Sequence, residues 1–471
     1  MAIFFNEGEN KIRPGVYQRY SNTGSGELVG ARDGICAIPV QATWGPLGAV
    51  VKNVNIGDLT RNYGSGVYGT GYTVPAAVAM FAGGANTVYT YRMGNGGKQA
   101  TLALADGLTV TAKYPGTLAI SVAVQEKLGD ATKKQLLVYV GNALVETWVF
   151  AADGAAEGAN LIAATKESKY ITITGEAATV APLAVASGAL AGGENPTVTN
   201  EDYSKAFAAF EPYYYNTIAL DVDDDESMTL SLLLQAYLDD AHKLGKLGVA
   251  VVGQKTTVSF DTRLKNVAMF DDEKAVFLGG GWMKGNASQD GVLGICHTAG
   301  VIAACPANQG ITHAAINGAT DLCESLKNSD YEAAISAGML MVSRSVDGAI
   351  WYDSGVNTLT TLEEGIQDAG WKKIRRVKTR FEAFYRLDVA LAPKAGRVSN
   401  DTDGIAHILQ VGQRVIDAMV GEGKLYPGAT FAVDSANPAT GDSAWFVISM
   451  DDIDSLEKIY LHYQLRYSQN A

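Results

Sequence analysis

Residues 215–278 read YNTIALDVDDDESMTLSLLLQAYLDDAHKLGKLGVAVVGQKTTVSFDTRLKNVAMFDDEKAVFL and carry two periods in turn. The apolar runs at 215–220, 247–252 and 275–278 have the length of buried strands, and the segments between them, 226–243 and 260–265, have helical spacing. A helix over 203–210 precedes the first strand. Strands alternating with helices predict a mostly parallel sheet with helices on its faces. Upstream, residues 28–95 have the same character. A strand over 34–40 leads to the turn Trp44-Gly45-Pro46, then to a short strand over 49–54 and a helix over 74–81 stopped by Gly83-Gly84. A strand over 87–92, rich in β-branched residues and tyrosine, closes the segment.

Between these two α/β stretches the pattern changes. Short alternating runs recur at 102–104, 108–112, 118–124, 136–140, 145–150 and 170–173, divided by turn residues such as Asp106-Gly107, Pro115-Gly116 and Gly141-Asn142. Strands at this spacing predict a β-sandwich over 96–195, with one short helix near 158–166. The sandwich is read as an insertion, so 27–95 and 196–350 form two parts of one central α/β domain. A third segment, 351–453, holds an amphipathic helix over 405–420, with Ile405, Ile408, Leu409, Val415, Ile416 and Met419 on one face. The fold class expected is multidomain α/β.

Both ends look like extended arms. In KIRPGVYQRY, Ile12, Pro14 and Val16 fall on one side of a strand, with Lys11, Arg13, Tyr17 and Arg19 on the other. Pro14 cannot donate to a ladder, which suits a sheet edge. The Gly/Ser-rich joint at 21–26 sets off this arm, residues 1–26. The other arm, 454–471, carries the cleanest two-residue period in the chain. In EKIYLHYQLRY, Ile459, Leu461, Tyr463, Leu465 and Tyr467 alternate with Lys458, Tyr460, His462, Gln464 and Arg466.

The 471 residues suggest roughly three domains. Hydrophobic residues are 47% and charged residues 18%, enough apolar material for several cores and against a disordered chain. The net charge of −13 disfavours direct binding to nucleic acid or to an anionic membrane. Four cysteines, Cys36, Cys296, Cys305 and Cys323, form no CxxC pair and suit a reducing compartment. No basic-then-apolar leader opens the sequence, and the Ala/Gly-rich stretch 177–193 is broken by Pro182 and Gly188. A soluble protein made in a cytoplasm is expected.

Motifs with enzymatic chemistry are weak. Gly64-Ser65-Gly66-Val67-Tyr68-Gly69 fits GxGxxG, but the polar GDLTRNY before it is no strand, so it reads as a flexible loop. The acidic run Asp221, Asp223, Asp224, Asp225 and Glu226 imitates the start of a calcium loop. It has Glu226 where glycine is needed and Leu232 where glutamate is needed, so it reads as helix-capping carboxylates. Cys296, His297, Cys305 and His313 match no zinc spacing. Asp221 with His242 or His297 singles out no serine nucleophile, and no GxSxG occurs. No catalytic residue, metal or cofactor is expected. The stretch 372–386 is more informative, because Lys372, Lys373, Arg375, Arg376, Lys378, Arg380 and Arg386 face Glu382 alone. It fits a solvated face, a nucleic-acid surface, or a docking surface for an acidic protein.

In order along the chain, several segments resemble the sheath proteins of contractile phage tails and phage-tail-like bacteriocins. They are RPGVY at 13–17, Trp44-Gly45-Pro46, Tyr63-Gly64, FAGGANTVYTYR at 81–92 and AKYPGT at 112–117, though the Gly-Asn that often follows the last is missing. LAGGENPTVTNEDYSKAFAAFE at 190–211, ACPANQGITHAAINGATDLCESL at 304–326, VNTLTT at 356–361 and DSLEKIYLHYQL at 454–465 complete the series. The resemblance implies a central domain of subtilisin-like layout without catalytic residues, the inserted sandwich, and a tube-proximal C-terminal α/β domain. It also implies that the terminal arms add as strands to sheets of neighbouring copies, which assigns strand exchange to Ile12, Pro14, Val16, Tyr17, Ile459, Leu461, Tyr463 and Leu465. Unpaired edge strands outside any domain suit such β-augmentation, and a non-closing rotation between copies gives a helical tube. Lys372, Lys373, Arg375, Arg376, Lys378 and Arg380 become candidates for docking an acidic tail tube, with the neighbouring helix as rival. Baseplate and tail terminator proteins are the other implied partners. The implied location is a virion tail or bacteriocin particle, assembled in the host bacterial cytoplasm. An enzyme on the central domain, a degenerate hydrolase or nucleotide binder, and a non-contractile tail protein are the alternatives.

Overall fold

The computed structural model describes residues 32–466 apart from 106, 176–185 and 225, together with the backbone of 3–4 and 17–18. The first segment forms β1 (Ile35–Val40), β2 (Val50–Asn53), α1 (Ile56–Tyr63), α2 (Val74–Ala82) and β3 (Thr87–Arg92). The polar GDLTRNY is helix α1, capped by the Asn55 side chain on the Asp58 amide and ended by Gly64 at φ +80°. The GxGxxG stretch is therefore the loop from one helix to the next, without the strand a dinucleotide site needs.

The inserted segment forms β4 (Thr101–Ala105), β5 (Leu108–Ala112), β6 (Ile120–Glu126), β7 (Lys133–Val140), β8 (Ala143–Ala151), α3 (Glu157–Ala164), β9 (Ile171–Gly175) and β10 (Ala186–Ala189). One sheet runs β8-β7-β6-β10 and the other β9-β5-β4. Alternate residues point inward: Leu108, Val110 and Ala112 meet Ile120, Val122, Val124, Leu136, Val138 and Ile171 in one core.

The second α/β stretch forms α4 (Asn200–Phe210), β11 (Thr217–Ala219), α5 (Thr229–Lys243), β12 (Val249–Gly253), α6 (Phe260–Val267), β13 (Ala275–Leu278), α7 (Val292–Ala304), α8 (Asn328–Ser336) and β14 (Met339–Leu340). It completes one seven-stranded sheet with the first segment, in the order β14-β13-β12-β11-β1-β3-β2, parallel except for β2. Successive side chains serve opposite faces. Cys36, Ile38 and Val40 pack with Met80, Cys296 and Ala299 of α2 and α7. Ala37, Ile218 and Ala250 pack with Phe207, Leu234 and Val267 of α4, α5 and α6. Helix α7 was not legible in the sequence, because it is apolar on every side.

The chain divides into two compact units: a larger one, Arg32–Phe381 with the chain from Ile453, and a smaller one built on Glu382–Asp452. Residues 351–381 lie with the larger unit, although the sequence reading begins the last domain at 351. Helix α9 (Ile374–Leu391) starts in the larger unit and runs into the smaller. There α10 (Thr402–Gly421), capped by Asp401 on the Gly404 amide, packs Val415, Ile416 and Met419 against Ala383, Leu387 and Phe431. Strands β15 (Thr430–Val433) and β16 (Phe446–Ser449) pair antiparallel as a two-stranded sheet.

Candidate interaction surfaces

The C-terminal arm is described as far as Arg466 and forms no strand there. The period-two pattern is present but its ladder is not. Ile459, Leu461, Tyr463 and Leu465 are 70, 69, 77 and 94% exposed. An apolar stripe this open, with no ladder among the described residues, is a strand without a sheet. Of the N-terminal candidates, Ile12, Pro14 and Val16 lie outside the described residues. The backbone of Tyr17–Gln18 pairs parallel with Ile3–Phe4.

The β15–β16 sheet offers the complementary feature. No further strand pairs with it among the described residues. One face is fixed to α10: the Phe431 ring lies over Gly412, where any Cβ would collide with it, and Gln413 accepts from the Phe431 amide and donates to the Ala429 carbonyl. The rest is open, with Val433, Trp445, Val447 and Ile448 all exposed. A groove of ≈ 290 Å³ runs beside Phe446, floored by Leu391, Ile405 and Ile408.

The basic stretch, expected as a tube-docking face, is engaged inside the larger unit, and none of its six candidates is exposed. Lys372 Nζ donates to the Thr360 carbonyl. Lys373 Nζ holds Asp454 at 2.8 Å and Glu457 at 3.0 Å. Arg375 donates to Ser455 Oγ at 2.9 Å, and the Arg376 guanidinium lies over Gly370. Lys378 pairs with Asp33 at 3.0 Å and also donates to the carbonyls of Ile302, Ala303 and Cys305, at the end of α7 where the helix dipole favours a cation. Arg380 grips both carboxylate oxygens of Asp368 and stacks over Trp371 at 4.5 Å. The sequence shows the cations; several of their acceptors, Asp33, the carbonyls of 302–305 and the side chains of 454–457, lie far off in the chain and could not be foreseen.

The central domain's polar residues are likewise occupied. Asp221 follows β11, beside the end of β1, where the sheet order reverses and open α/β sheets commonly bind ligands. It is fully buried and accepts from Thr73 Oγ1 at 2.5 Å and Tyr203 OH at 2.7 Å. Burial raises its carboxyl to about 6. Asp223 accepts from the first amide of α7 and from Tyr68 of the Gly-rich loop, while Asp224 accepts from two amides of α5. These are the capping roles expected of the acidic run. His297 contacts Tyr352 OH at 3.2 Å, and burial lowers its imidazole to about 4. His242 contacts the Gly248 carbonyl at 3.0 Å. Among the described residues, Asp221, His242 and His297 bond to separate partners and not to one another, and no three of His, Cys, Asp and Glu gather as a metal set.

Two family descriptions match this chain: "Phage tail sheath protein central domain" over residues 197–354 and "Phage tail sheath protein beta-sandwich domain" over 95–195. The chain belongs to the phage tail sheath protein family. A Bacillus subtilis (strain 168) relative, the uncharacterized protein YqbK, is 24% identical over 379 residues, 76% of this chain and 75% of its own. The sheath tail protein Lin1278 of Listeria innocua superimposes with a TM-score of 0.71 at 20% identity, covering 90% of this chain and 96% of its own. The helical sheath of the anti-feeding prophage in its contracted state gives 0.53 at 12% identity, covering 98 and 100%. At these identities the structural likenesses establish the fold.

The sheath motifs now have a physical reading. Arg92, the last residue of FAGGANTVYTYR, is fully buried without a carboxylate. It donates twice to the Ala42 carbonyl, once to Gly45 in the Trp-Gly-Pro turn and once to Pro115 in AKYPGT. Gly116 is required there, since a Cβ would lie 1.8 Å from the Thr43 carbonyl oxygen. Trp44 stacks on Tyr170 and meets Tyr114 edge-on. Three separated motifs thus form one joint between the central domain and the sandwich. Among the described residues no helix is long and apolar enough to cross a membrane.

Proposed function

We propose that this sheath chain polymerises helically around a tail tube in an extended, higher-energy lattice, and contracts to drive the tube through a target envelope. One observation carries the reading: the exposed, alternating apolar arm from Lys458 on a chain whose β15–β16 sheet has no other strand among the described residues. The arm of one copy adds to that sheet in another, its ladder groups and apolar face finding partners together. The N-terminal arm, with Ile12, Pro14, Val16 and Tyr17, takes the same role on a second edge. Energy is stored at assembly, so contraction needs no nucleotide or metal, and the central domain acts as scaffold and not as an enzyme. The anti-feeding prophage sheath, named as helical and contracted, supports this by its fold. Assembly takes place in the host cytoplasm, with baseplate and terminator proteins at the two ends of the tube.

Docking of an acidic tube at Lys372–Arg380 remains part of the proposal in a restricted form. Each cation would exchange an acceptor within the chain for one on the tube, which for a paired, half-buried charge costs about 1–3 kcal/mol. Truncation after Glu457 tests the central reading. The shortened chain should stay monomeric at concentrations where the full chain forms tubes. Tubes of equal length and number from both would overturn strand exchange.

A further inference from the structure

The arm does not leave the fold at Asp452, where the smaller unit ends. Its first residues are held on the larger unit by a set of contacts that stops abruptly. Lys373 Nζ binds Asp454 Oδ2 at 2.8 Å and Glu457 Oε2 at 3.0 Å. The other oxygen of Glu457 accepts from Thr312 Oγ1 at 3.0 Å. Ser455 Oγ accepts from Arg375 at 2.9 Å and sits against Gly310, where an added Cβ would approach it to 2.8 Å. Lys373 itself is fixed by its backbone, which bridges Val356 and donates to the Gly370 carbonyl. From Lys458 onward every described side chain is exposed.

We infer that Lys373 is the clip that sets where the arm pivots, and hence how far it reaches. This rests on the strand-exchange reading above. Released at Asp452, the fourteen residues 453–466 span at most about 46 Å; clipped at Glu457, the nine residues 458–466 span about 30 Å. A shorter tether from a fixed exit restricts the places where the strand can dock, raising its effective concentration at a correctly spaced neighbour and excluding a badly spaced one. The clip therefore contributes to the spacing of copies without touching the neighbour. Its ion pairs are partly open, with Lys373 at 28% and Asp454 at 35%, so high salt weakens it.

The test uses the soluble full chain with a nitroxide on Leu456→Cys or on Leu461→Cys, after subtracting the signal of the unmutated protein's half-buried Cys305 and Cys323. The label at 456 should tumble several-fold more slowly than the label at 461. Lys373→Ala should bring it to the speed seen at 461. So should Asp454→Ala with Glu457→Ala, whose changes lie in the arm and touch no buried core residue. Equal mobility at both positions in the unmutated background, or a slow 456 label that neither variant releases, overturns the clip. This readout precedes assembly. A slow, releasable label in a chain that forms tubes without residues 458–466 would therefore keep the clip and reject strand exchange.

Discussion

Asp221 shows how one side chain's surroundings set a measurable property of the subunit. Burial holds its carboxyl near 6 against an ordinary 3.8, so the folded chain binds this proton more tightly than the unfolded chain. The stabilisation is complete below about pH 4 and is lost as pH rises through 6, a change on the order of 3 kcal/mol. Glu422 works in the opposite sense. Arg386 and Lys424 hold it near 2, so its contribution is present above pH 4.5 and lost on acidification toward 2. Denaturation midpoints followed from pH 4 to 7 should fall in the unmutated protein and stay flatter in Asp221→Asn. Identical slopes would contradict this account of Asp221. The acidic run and its capping role were legible in the sequence. That Asp221 would be sealed in was not, because Thr73 lies 148 residues away.

Helix packing shows where periodicity informs and where it fails. Helices α2 and α7 touch backbone to backbone: a Cβ on Gly300 would come 2.1 Å from the Met80 carbonyl oxygen, and one on Gly83 would come 2.1 Å from that of His297. Gly300→Ala should lower the urea midpoint by an amount equivalent to about 1–3 kcal/mol. Gly421→Ala, at the end of α10 with nothing near its Cβ position, should be neutral or slightly stabilising. Equal effects at the two sites would show that the α2–α7 contact is looser than described. Helix α7 escaped the sequence reading because its residues are nearly all apolar or small, so no polar face marks its period. Helix α9 was hidden by its charge. Its apolar face, Ile374, Val377 and Phe381, is buried in the main core, and its cations find partners within the chain. Six sandwich strands, half-buried and alternating, were read within a few residues of their observed ends, while the short, small-residue β10 was not read.

At the scale of the whole molecule, the proposed strand exchange rests on a strand-like arm that has no ladder among the described residues. The alternation in EKIYLHYQLRY specifies a strand as strongly as any in the chain, yet through Arg466 it has no ladder. The segment 425–452, to which the sequence reading assigns no element, folds into a two-stranded sheet with an open apolar surface. The arm was legible because its period is local. The β15–β16 sheet was not, because its strands are short and mostly exposed, and so lack a buried stripe. On the proposed reading, joining the two between copies would produce a continuous lattice. Cryo-electron microscopy of the full chain expressed alone, at rising concentration, tests this most directly. The account predicts helical tubes in which residues 458–466 of one copy form a further strand on the β15–β16 sheet of another. Monomers at every concentration, or tubes in which that sheet still has two strands, would contradict it.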